Sequence, residues 1–427
     1  MSPAWTETQL ARLIREIVER ELPAAKPLPG DETDLVRSGL LDSMGWVAVL
    51  TGIEELTRTP NFGNPWPENR PQSLRALVEA AIEGMKSVEV QDKAETHERG
   101  GARAGATVAL CGWGFALGRA EITAADAEVE CGLAPGTLRA SAGFESFRRA
   151  AEQEDAISLA QNAAEAALDA ARIHADDVSV LAAASATFLA LPSFGAALHT
   201  RLLLPESCTV LDVGGACVGL INSLQAASAI LSEHGVGAAL VVASEVHSRA
   251  LQSLQAPGEF RGLFGDGACA FVLRPARAAG ETSPTLGEFT FGCSGGLASA
   301  LEVKAGHHAK WEFRFQGEQL GRAAVERLAR IVEQLELLSG RSRSDVDAFA
   351  IHEPNPRLAR VFAQNARIPI EKIPLVSRNY GNLGSATCGV SLCTALSAHA
   401  TRPAATRPLI FLAAVGPGLL WAGTFLH

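Results

Sequence analysis

Apolar residues recur at helical spacing in three segments near the start of the chain. Residues 6–22 open with a T-x-x-Q capping box and then place Leu, Ile and Val on one face. Residues 38–56 and 73–83 repeat this spacing, and loops rich in Pro, Gly, Asn and Asp separate the three segments. The pattern predicts a small all-α helical bundle over residues 1–86.

A different pattern fills the rest of the chain. Residues 87–105 show little apolar periodicity and predict a flexible linker, whereas over residues 106–427 short apolar runs alternate with helical segments. Such alternation is typical of an α/β fold. The main predicted strands are residues 178–185, 209–213, 238–244, 269–273, 346–352, 409–415 and 420–425, and the main predicted helices are residues 155–171, 318–335 and 389–399.

Composition and charge exclude several classes of protein. The 427 residues are 47% hydrophobic and 20% charged, which is typical of a globular protein with an ample core. A net charge of −10 without a cluster of Lys and Arg argues against nucleic-acid binding. Eight cysteines without a CxxC pair or clustered histidines argue against a metal site. The apolar stretch 409–426 is interrupted by Gly-Pro-Gly and predicts two core strands rather than a membrane span.

The first candidate for chemistry is Cys217. It follows an apolar run and the glycines Gly214 and Gly215, and it precedes a segment with helical apolar spacing. A thiol at the start of a helix meets unpaired N–H groups and the positive end of the dipole, which favour the reactive thiolate. Cys217 is therefore a candidate nucleophile, and a buried inert thiol is the alternative.

Two further stretches carry candidate polar groups. His352 ends a predicted strand, and Asn355 follows three residues later. Asn382 lies in a loop rich in Gly, Asn and Ser that runs into a predicted helix. A lone histidine after a strand is more often structural, and a Gly-Asn-x-Gly loop is more often a simple turn. The chemical interpretation depends on all three stretches acting together.

The N-terminal segment GLLDSMGWVAVL resembles the phosphopantetheine-attachment motif of acyl and peptidyl carrier proteins. The resemblance implies that Ser43 carries a 4'-phosphopantetheine arm, attached by a phosphopantetheinyl transferase. A phosphate at a helix N-terminus is favoured by the helix dipole. The alternative is that Asp42 and Ser43 only cap the helix. No secretory signal precedes this segment, so we expect a cytoplasmic protein with reduced thiols.

The large body resembles the ketoacyl-acyl-carrier-protein synthase III branch of the thiolase superfamily. The resemblance implies a thiolase-like five-layer αβαβα fold and a homodimer. It rests on DVGGACVGL at residues 212–220, FGDGACAFVL at 264–273, HEPNPRL at 352–358, YGNLGSA at 380–386 and GPGLLWAG at 416–423.

The resemblance also implies a role for each matching residue. Cys217 would accept the acyl group, and His352 and Asn382 would bind the thioester carbonyl of the extender. Asn355 would support them, and the backbone N–H of Gly418 would join that of Cys217 in an oxyanion hole. Leu191 and Phe264 would line the substrate pocket, Leu191 from across the dimer.

The implied reaction is a decarboxylative Claisen condensation that yields a 3-oxoacyl thioester in a polyketide or fatty-acid-like pathway. The substrates would be acyl and malonyl thioesters on a carrier protein or on coenzyme A. Thr137 and the loosely matched Arg261 depart from the family's coenzyme A site and favour a carrier donor. The alternative is an acyltransferase that moves the acyl group to a hydroxyl, amine or carrier thiol, with the N-terminal bundle as a docking module.

Overall fold

The computed structural model describes residues 6–22, 30–57, 72–87, 107–234, 237–280, 283–305, 311–400 and 407–427. The chain forms two compact units. One comprises Met1–Ala102 with Gln316–Val325, and the other comprises Arg103–Phe315 with Glu326–His427. The predicted linker at residues 87–105 lies outside the described residues except for Ser87. The domain boundaries at 86 and 106 therefore stay predictions.

The described residues form helices and strands that match most of the sequence predictions to within a few residues. The helices are α1 (Glu7–Glu21), α2 (Ser43–Thr57), α3 (Leu74–Ser87), α4 (Ala124–Cys131), α5 (Ala156–Ala171), α6 (Phe194–Arg201), α7 (Gly219–His234), α8 (His247–Ser253), α9 (Gly258–Arg261), α10 (Gly317–Ser339), α11 (Pro356–Asn365), α12 (Ser377–Tyr380) and α13 (Thr387–Ala400). The strands are β1 (Val108–Leu117), β2 (Ala120–Thr123), β3 (Ser146–Arg149), β4 (Val178–Ala184), β5 (Thr209–Asp212), β6 (Ala238–Val246), β7 (Asp266–Pro275), β8 (Thr290–Cys293), β9 (Leu301–Ala305), β10 (Trp311–Phe315), β11 (Ala348–Ile351), β12 (Ile410–Gly416) and β13 (Leu420–Leu426).

The N-terminal unit contains the three helices that the apolar periodicity predicted. The capping box at the start of α1 is present, since the Thr6 side chain accepts from the Gln9 N–H and the Gln9 side chain accepts from the Thr6 N–H. Apolar side chains from all three helices form one buried cluster, which includes Leu10, Ile14, Trp46, Ile53 and Leu77. A carrier-protein type for this bundle stays a prediction.

The large unit is built from two sheets with helices between and outside them. The first sheet has the strand order β1-β7-β6-β4-β5, and the second has the order β11-β12-β13-β8. Side chains of α7 and α13 share one buried core with the facing strands of both sheets. Helix α5 covers the outer face of the first sheet, and α10 covers β13, where Ile331 meets Gly423. This is the predicted thiolase-like layering of helix, sheet, helix, sheet and helix.

The apolar stretch at residues 409–426 forms two paired strands, as predicted. Strands β12 and β13 run antiparallel from Ile410 opposite Leu426 to Gly416 opposite Leu420. Among the described helices, none has the length and apolar content that crossing a bilayer requires. The sequence pattern missed the hairpin of β9 and β10 and the pair β2–β3, because their strands are only four or five residues long.

Candidate active site

Cys217 lies in a sharp connection between β5 and α7. The backbone adopts positive φ at Gly215 (128°) and Ala216 (47°), and Cys217 then occupies a single 3₁₀ turn directly ahead of α7. A non-glycine residue at positive φ is strained and persists only where its surroundings hold it. The structure therefore confirms the predicted position of Cys217 at the entry to a helix and fixes its backbone tightly.

The end of β12 lies against the nucleophile candidate. A Cβ added at Gly416 would be 3.1 Å from the Cβ of Cys217 and 3.4 Å from its backbone nitrogen. Gly418 follows in a 3₁₀ turn with a φ of 124°, a conformation that favours glycine. The Gly-rich turn therefore passes close to Cys217, and the oxyanion role of the Gly418 N–H stays a prediction.

His352 enters the same region from the neighbouring strand. It follows β11 directly, and its N–H donates to the carbonyl of Ala413 on β12 at 2.8 Å. Because β11 and β12 are parallel, His352 lies towards the same edge of the sheet as Gly416. The side chain is buried, with 4% of its surface exposed. Asn355 caps α11, since its Oδ1 accepts from the Leu358 N–H at 2.8 Å.

Asn382 is held by its backbone and by its side-chain oxygen. Its N–H donates to the Leu263 carbonyl at 2.9 Å, and its own carbonyl accepts from the Gly265 N–H at 3.0 Å. The Oδ1 atom accepts from the Gly384 N–H at 2.9 Å and from the Thr387 hydroxyl at 3.3 Å. Since the amide oxygen is occupied by these donors, the other end of the amide presents its NH2 group as a donor.

Contacts between the three segments bring them into one cluster. Gly219 lies two residues after Cys217. A Cβ added to it would be 3.8 Å from the Cβ of Ser385. Ser385 follows Asn382 in the same turn, and the backbone of Gly384 in this turn lies close enough to the His352 ring to raise its pKa. The stretches that carry Cys217, His352 and Asn382 therefore meet, which the chemical interpretation of the sequence requires.

Burial holds the imidazole of His352 neutral. Desolvation and, to a smaller extent, the neighbouring His247 lower its pKa to about 4, against an opposing effect of the Gly384 backbone. At physiological pH the ring is uncharged and can donate one N–H without carrying an acidic proton. A neutral donor of this kind can bind the oxygen of an enolate and leave the carbanion unprotonated.

The expectation of a stabilised Cys217 thiolate is wrong for the free protein. Burial and, to a smaller extent, the Glu245 carboxylate raise the pKa of the thiol to about 12, against an opposing effect of the backbone. Desolvation of the thiolate therefore outweighs the favourable end of the helix. Cys217 is therefore a neutral thiol at neutral pH in the free protein.

Sequence reasoning missed two buried polar residues at the end of β6. The carboxylate of Glu245 accepts from the Ser385 hydroxyl at 2.5 Å and from the Thr187 N–H at 3.0 Å. His247 stacks on Phe264, with ring centroids 4.3 Å apart. A signal was present, since Glu245 and His247 end a strand that is otherwise apolar. Charged groups are buried in that way only where they have partners.

The two predicted pocket residues occupy different environments. Phe264 is buried beside Asn382, with which its backbone forms a bridge. Leu191 is 94% exposed in this single chain, so only a second subunit could bring it into a pocket. Its position is compatible with the predicted homodimer, which stays a prediction.

Ser43 is the first residue of α2, and its side chain lies outside the described residues. The carboxylate of Asp42 accepts from the Gly45 N–H at 2.7 Å, so that Asp42 caps the helix. No group of three His, Cys, Asp or Glu side chains among the described residues could hold a metal ion.

The family models and the similar known proteins all point to the same family. The family model of 3-Oxoacyl-[acyl-carrier-protein (ACP)] synthase III matches residues 211–295, and the model of its C terminal matches residues 338–427. A beta-ketoacyl-[acyl-carrier-protein] synthase III from Ruegeria pomeroyi is 30% identical over 294 residues, which cover 68% of this chain and 89% of the relative. The same enzyme from Methylococcus capsulatus is 28% identical over 320 residues, covering 74% of this chain and 98% of the relative.

Solved structures show the same fold. The 3-oxoacyl-(acyl carrier protein) synthase III of Pseudomonas aeruginosa matches with a TM-score of 0.66 at 25% identity, over 75% of this chain and 98% of that one. OleA from Xanthomonas campestris matches with a TM-score of 0.67 at 18% identity, over 78% of this chain and 99% of that one, and shows the fold alone. The chain therefore belongs to the 3-oxoacyl-acyl-carrier-protein synthase III family of condensing acyltransferases.

Proposed function

We propose that this enzyme condenses an acyl group bound to Cys217 with a malonyl-type thioester and releases carbon dioxide. The observation that carries the proposal is the Asn382 amide, whose oxygen is held by Gly384 and Thr387 so that its NH2 group is the free donor. Neutral His352 offers a second donor from the adjoining segment. Two neutral donors suit the oxygen of an enolate formed by decarboxylation.

The first half-reaction is acyl transfer to sulfur. The sulfur of Cys217 attacks the carbonyl of an acyl thioester, a new carbon–sulfur bond forms, and the bond to the donor thiol breaks. Because the Cys217 thiol is protonated at rest, its proton passes to the leaving thiolate, and no net proton is consumed. The backbone N–H groups of Cys217 and Gly418 are the proposed donors to the tetrahedral oxyanion.

The second half-reaction forms the carbon–carbon bond. The bond between the malonyl carboxylate and the central carbon breaks, carbon dioxide leaves, and the enolate oxygen is bound by His352 and Asn382. The carbanion attacks the carbonyl of the Cys217 thioester and expels the thiolate, which takes up one proton from solution. The product is a 3-oxoacyl thioester.

We further propose that the N-terminal bundle is an acyl carrier and that Ser43 is its attachment site. Capping by Asp42 leaves Ser43 at the first position of α2, where backbone N–H groups favour a phosphate. A 4'-phosphopantetheine arm supplies a thiol that holds acyl groups as thioesters. A fused carrier and a homodimer completed by Leu191 fit a specialised polyketide or fatty-acid-like pathway, with substrates on carrier protein or coenzyme A.

The condensation is tested by carbon dioxide release from a malonyl thioester with purified enzyme. We expect Asn382→Ala to keep acylation of Cys217, followed by intact mass, and to lose about 100- to 1000-fold in carbon dioxide release, as removal of an oxyanion donor does. Asn379→Ala is the matched control, because its side chain is exposed in the same turn. If the wild type acylates Cys217 but releases no carbon dioxide and passes the acyl group to a hydroxyl, amine or carrier thiol, the alternative acyltransferase is correct.

A further inference from the structure

A second buried imidazole adjoins the proposed donors for the enolate. His247 is the first residue of α8, directly after β6, and 8% of its surface is exposed. Its Nδ1 atom has no hydrogen-bond partner among the described residues. The half-reactions proposed above give this ring no part, although buried polar groups are normally paired or functional.

One face of the His247 ring is fixed by the segment that binds the Asn382 backbone. The ring stacks on Phe264 with centroids 4.3 Å apart and planes inclined by 27°. Leu263 and Gly265, on either side of Phe264, exchange hydrogen bonds with the backbone of Asn382 at 2.9 and 3.0 Å. The position of the ring is therefore tied to one support of Asn382.

The other side of the ring meets the second support. Gly384 has a φ of 57°, and a Cβ there would collide with Cε1 of His247 and lie 3.0 Å from its Nε2. The Gly384 N–H donates to Oδ1 of Asn382, and the Gly384 backbone also influences the pKa of the His352 ring. The imidazole of His247 thus contacts both Phe264 and Gly384, which belong to the two segments that orient the donors.

A neighbouring carboxylate strengthens this support. Glu245, two residues before His247, is fully buried and accepts from the Ser385 hydroxyl at 2.5 Å. Its other contacts, with the N–H groups of Ala186 and Thr187, fasten the end of β6 to the loop after β4. The end of β6 therefore holds the turn at residues 382–385 by packing and by hydrogen bonding.

His247 also affects the charge state of His352, one of the two proposed donors. In the described part of the chain, the titratable groups facing it are Glu245, Asp266 and His352. Burial lowers the pKa of His247, although Glu245 and Asp266 raise it, and His247 in turn lowers the pKa of His352. Two imidazoles this close cannot both carry a charge at low cost.

We propose that His247 is a positioning residue for the condensation half-reaction, which rests on the function proposed above. Its ring volume holds Gly384 and hence the Asn382 amide in place, and its proximity disfavours a charge on His352. It has no part in acylation of Cys217. The two effects are separable, because one depends on volume and the other on charge.

Two variants separate volume from charge. His247→Ala removes the ring, and we expect carbon dioxide release from a malonyl thioester to fall about 10- to 100-fold, while acylation of Cys217 by an acyl thioester keeps its rate. His247→Gln has a similar volume and no titratable group, and we expect it to retain most of the wild-type carbon dioxide release. The control is Leu159→Ala, a fully buried residue of α5, which should lower stability without separating the half-reactions.

A measurement without turnover tests the electrostatic effect. Histidine Cε1–H NMR titration, with His352 assigned from His352→Gln, should show a higher His352 pKa in both His247 variants than in the wild type. Equal rates of carbon dioxide release in His247→Ala and the wild type, a parallel loss of acylation, or an unchanged His352 titration would each overturn the proposal. Failure of the condensation itself is recognised separately, since then the wild type releases no carbon dioxide while the NMR comparison still reports on His247.

Discussion

The sulfur of Cys217 and the imidazole of His352 are both driven to their neutral forms by burial. Desolvation raises the pKa of the thiol to about 12 and lowers that of the imidazole to about 4. Cys217 and His352 therefore do not form an ion pair at neutral pH. Cysteine nucleophiles that are activated by a charged histidine differ in this respect. In the proposed reaction the thiol proton moves during the attack, when the donor thiol leaves and can accept it.

Reactivity of the free thiol tests this description of the residue. Because the Glu245 carboxylate raises the pKa of Cys217, Glu245→Gln should lower that pKa and increase the thiolate fraction at a given pH. We expect iodoacetamide to alkylate Cys217 several-fold faster in the variant at pH 8. In the wild type the rate should rise about tenfold per pH unit up to at least pH 10.

The alkylated site is identified by peptide mass against a Cys217→Ala control. Exposed Cys293 serves as an internal reference, since its alkylation should not respond to the Glu245 substitution. A wild-type rate that levels off between pH 6 and 8 would show a stabilised thiolate and contradict the neutral resting thiol.

At the scale of elements, the ends of β5, β6, β11 and β12 supply the site. Parallel pairing aligns β4 with β5 and β6 in the first sheet, and β11 with β12 in the second. Glu245 and Gly416 therefore lie at the carboxyl ends of β6 and β12, and Cys217 and His352 lie on the connections that follow β5 and β11. Connections at the carboxyl ends of parallel strands are the usual place for ligands in α/β proteins.

The close approach of β12 to Cys217 predicts that a side chain at position 416 crowds the nucleophile. In Gly416→Ala the new Cβ would lie 3.1 Å from the Cβ of Cys217, so the strand end or the nucleophile must shift. We expect acylation of Cys217 to fall at least tenfold, because small displacements of a nucleophile are costly. Gly295→Ala is the control, since a Cβ there meets nothing within 4 Å, and its acylation rate should be that of the wild type.

A second connection is held by a buried carboxyl group. Glu353, next to His352, accepts from the N–H and the hydroxyl of Ser377 at 2.9 and 3.0 Å and so ties the end of β11 to α12. Burial raises its pKa from 4.5 to about 8, although the Ser377 hydrogen bonds lower it. The Glu353 carboxyl group in this link is therefore protonated at neutral pH.

This link predicts a pH dependence of stability. A raised carboxyl pKa stabilises the fold fully below pH 4.5, and this contribution is lost as the pH rises to about 8. Its slope is at most about 1.4 kcal/mol per pH unit. In Glu353→Gln, the free energy of unfolding measured with urea should decline less between pH 5 and pH 8.5 than in the wild type. The control is Glu371→Gln on the exposed surface, and equal slopes in the wild type and Glu353→Gln would refute the assignment.

At the scale of the whole molecule, the family of the large unit is established and the role of the helical unit is a proposal. A carrier held near a synthase by a tether works at a high effective concentration of substrate. The three helices, their shared apolar core and the position of Ser43 at the start of α2 are compatible with such a carrier.

Covalent modification decides the role of the helical unit. With coenzyme A and a phosphopantetheinyl transferase, the intact protein should gain the mass of one phosphopantetheine group, and Ser43→Ala should gain none. Ser38→Ala is the control, because this serine lies in the preceding turn and should not affect modification. An unmodified wild type, or a Ser43→Ala variant that still gains the group, would leave the bundle as a docking module or move the attachment site.

The amino-acid sequence alone determined the local elements and their chemical candidates. The capping box before α1, the strand pair interrupted at Gly416, and Cys217 at the entry to α7 follow from spacing, and spacing is visible along the chain. The resemblance of five motifs then gave the family and the order of Cys217, His352 and Asn382. These inferences succeed because they depend on neighbours in sequence and on motif identity.

Only the tertiary structure decided the electrostatics and the supports of the site. The neutral thiol of Cys217 results from desolvation by surrounding atoms of many segments, and no local pattern around the cysteine reports it. The contact of His247 with Gly384, and that of Glu245 with Ser385, join residues far apart in the chain through the packing of two sheets. Burial and long-range contact are properties of the folded molecule, and they set the charge state and orientation of groups that the sequence could only name.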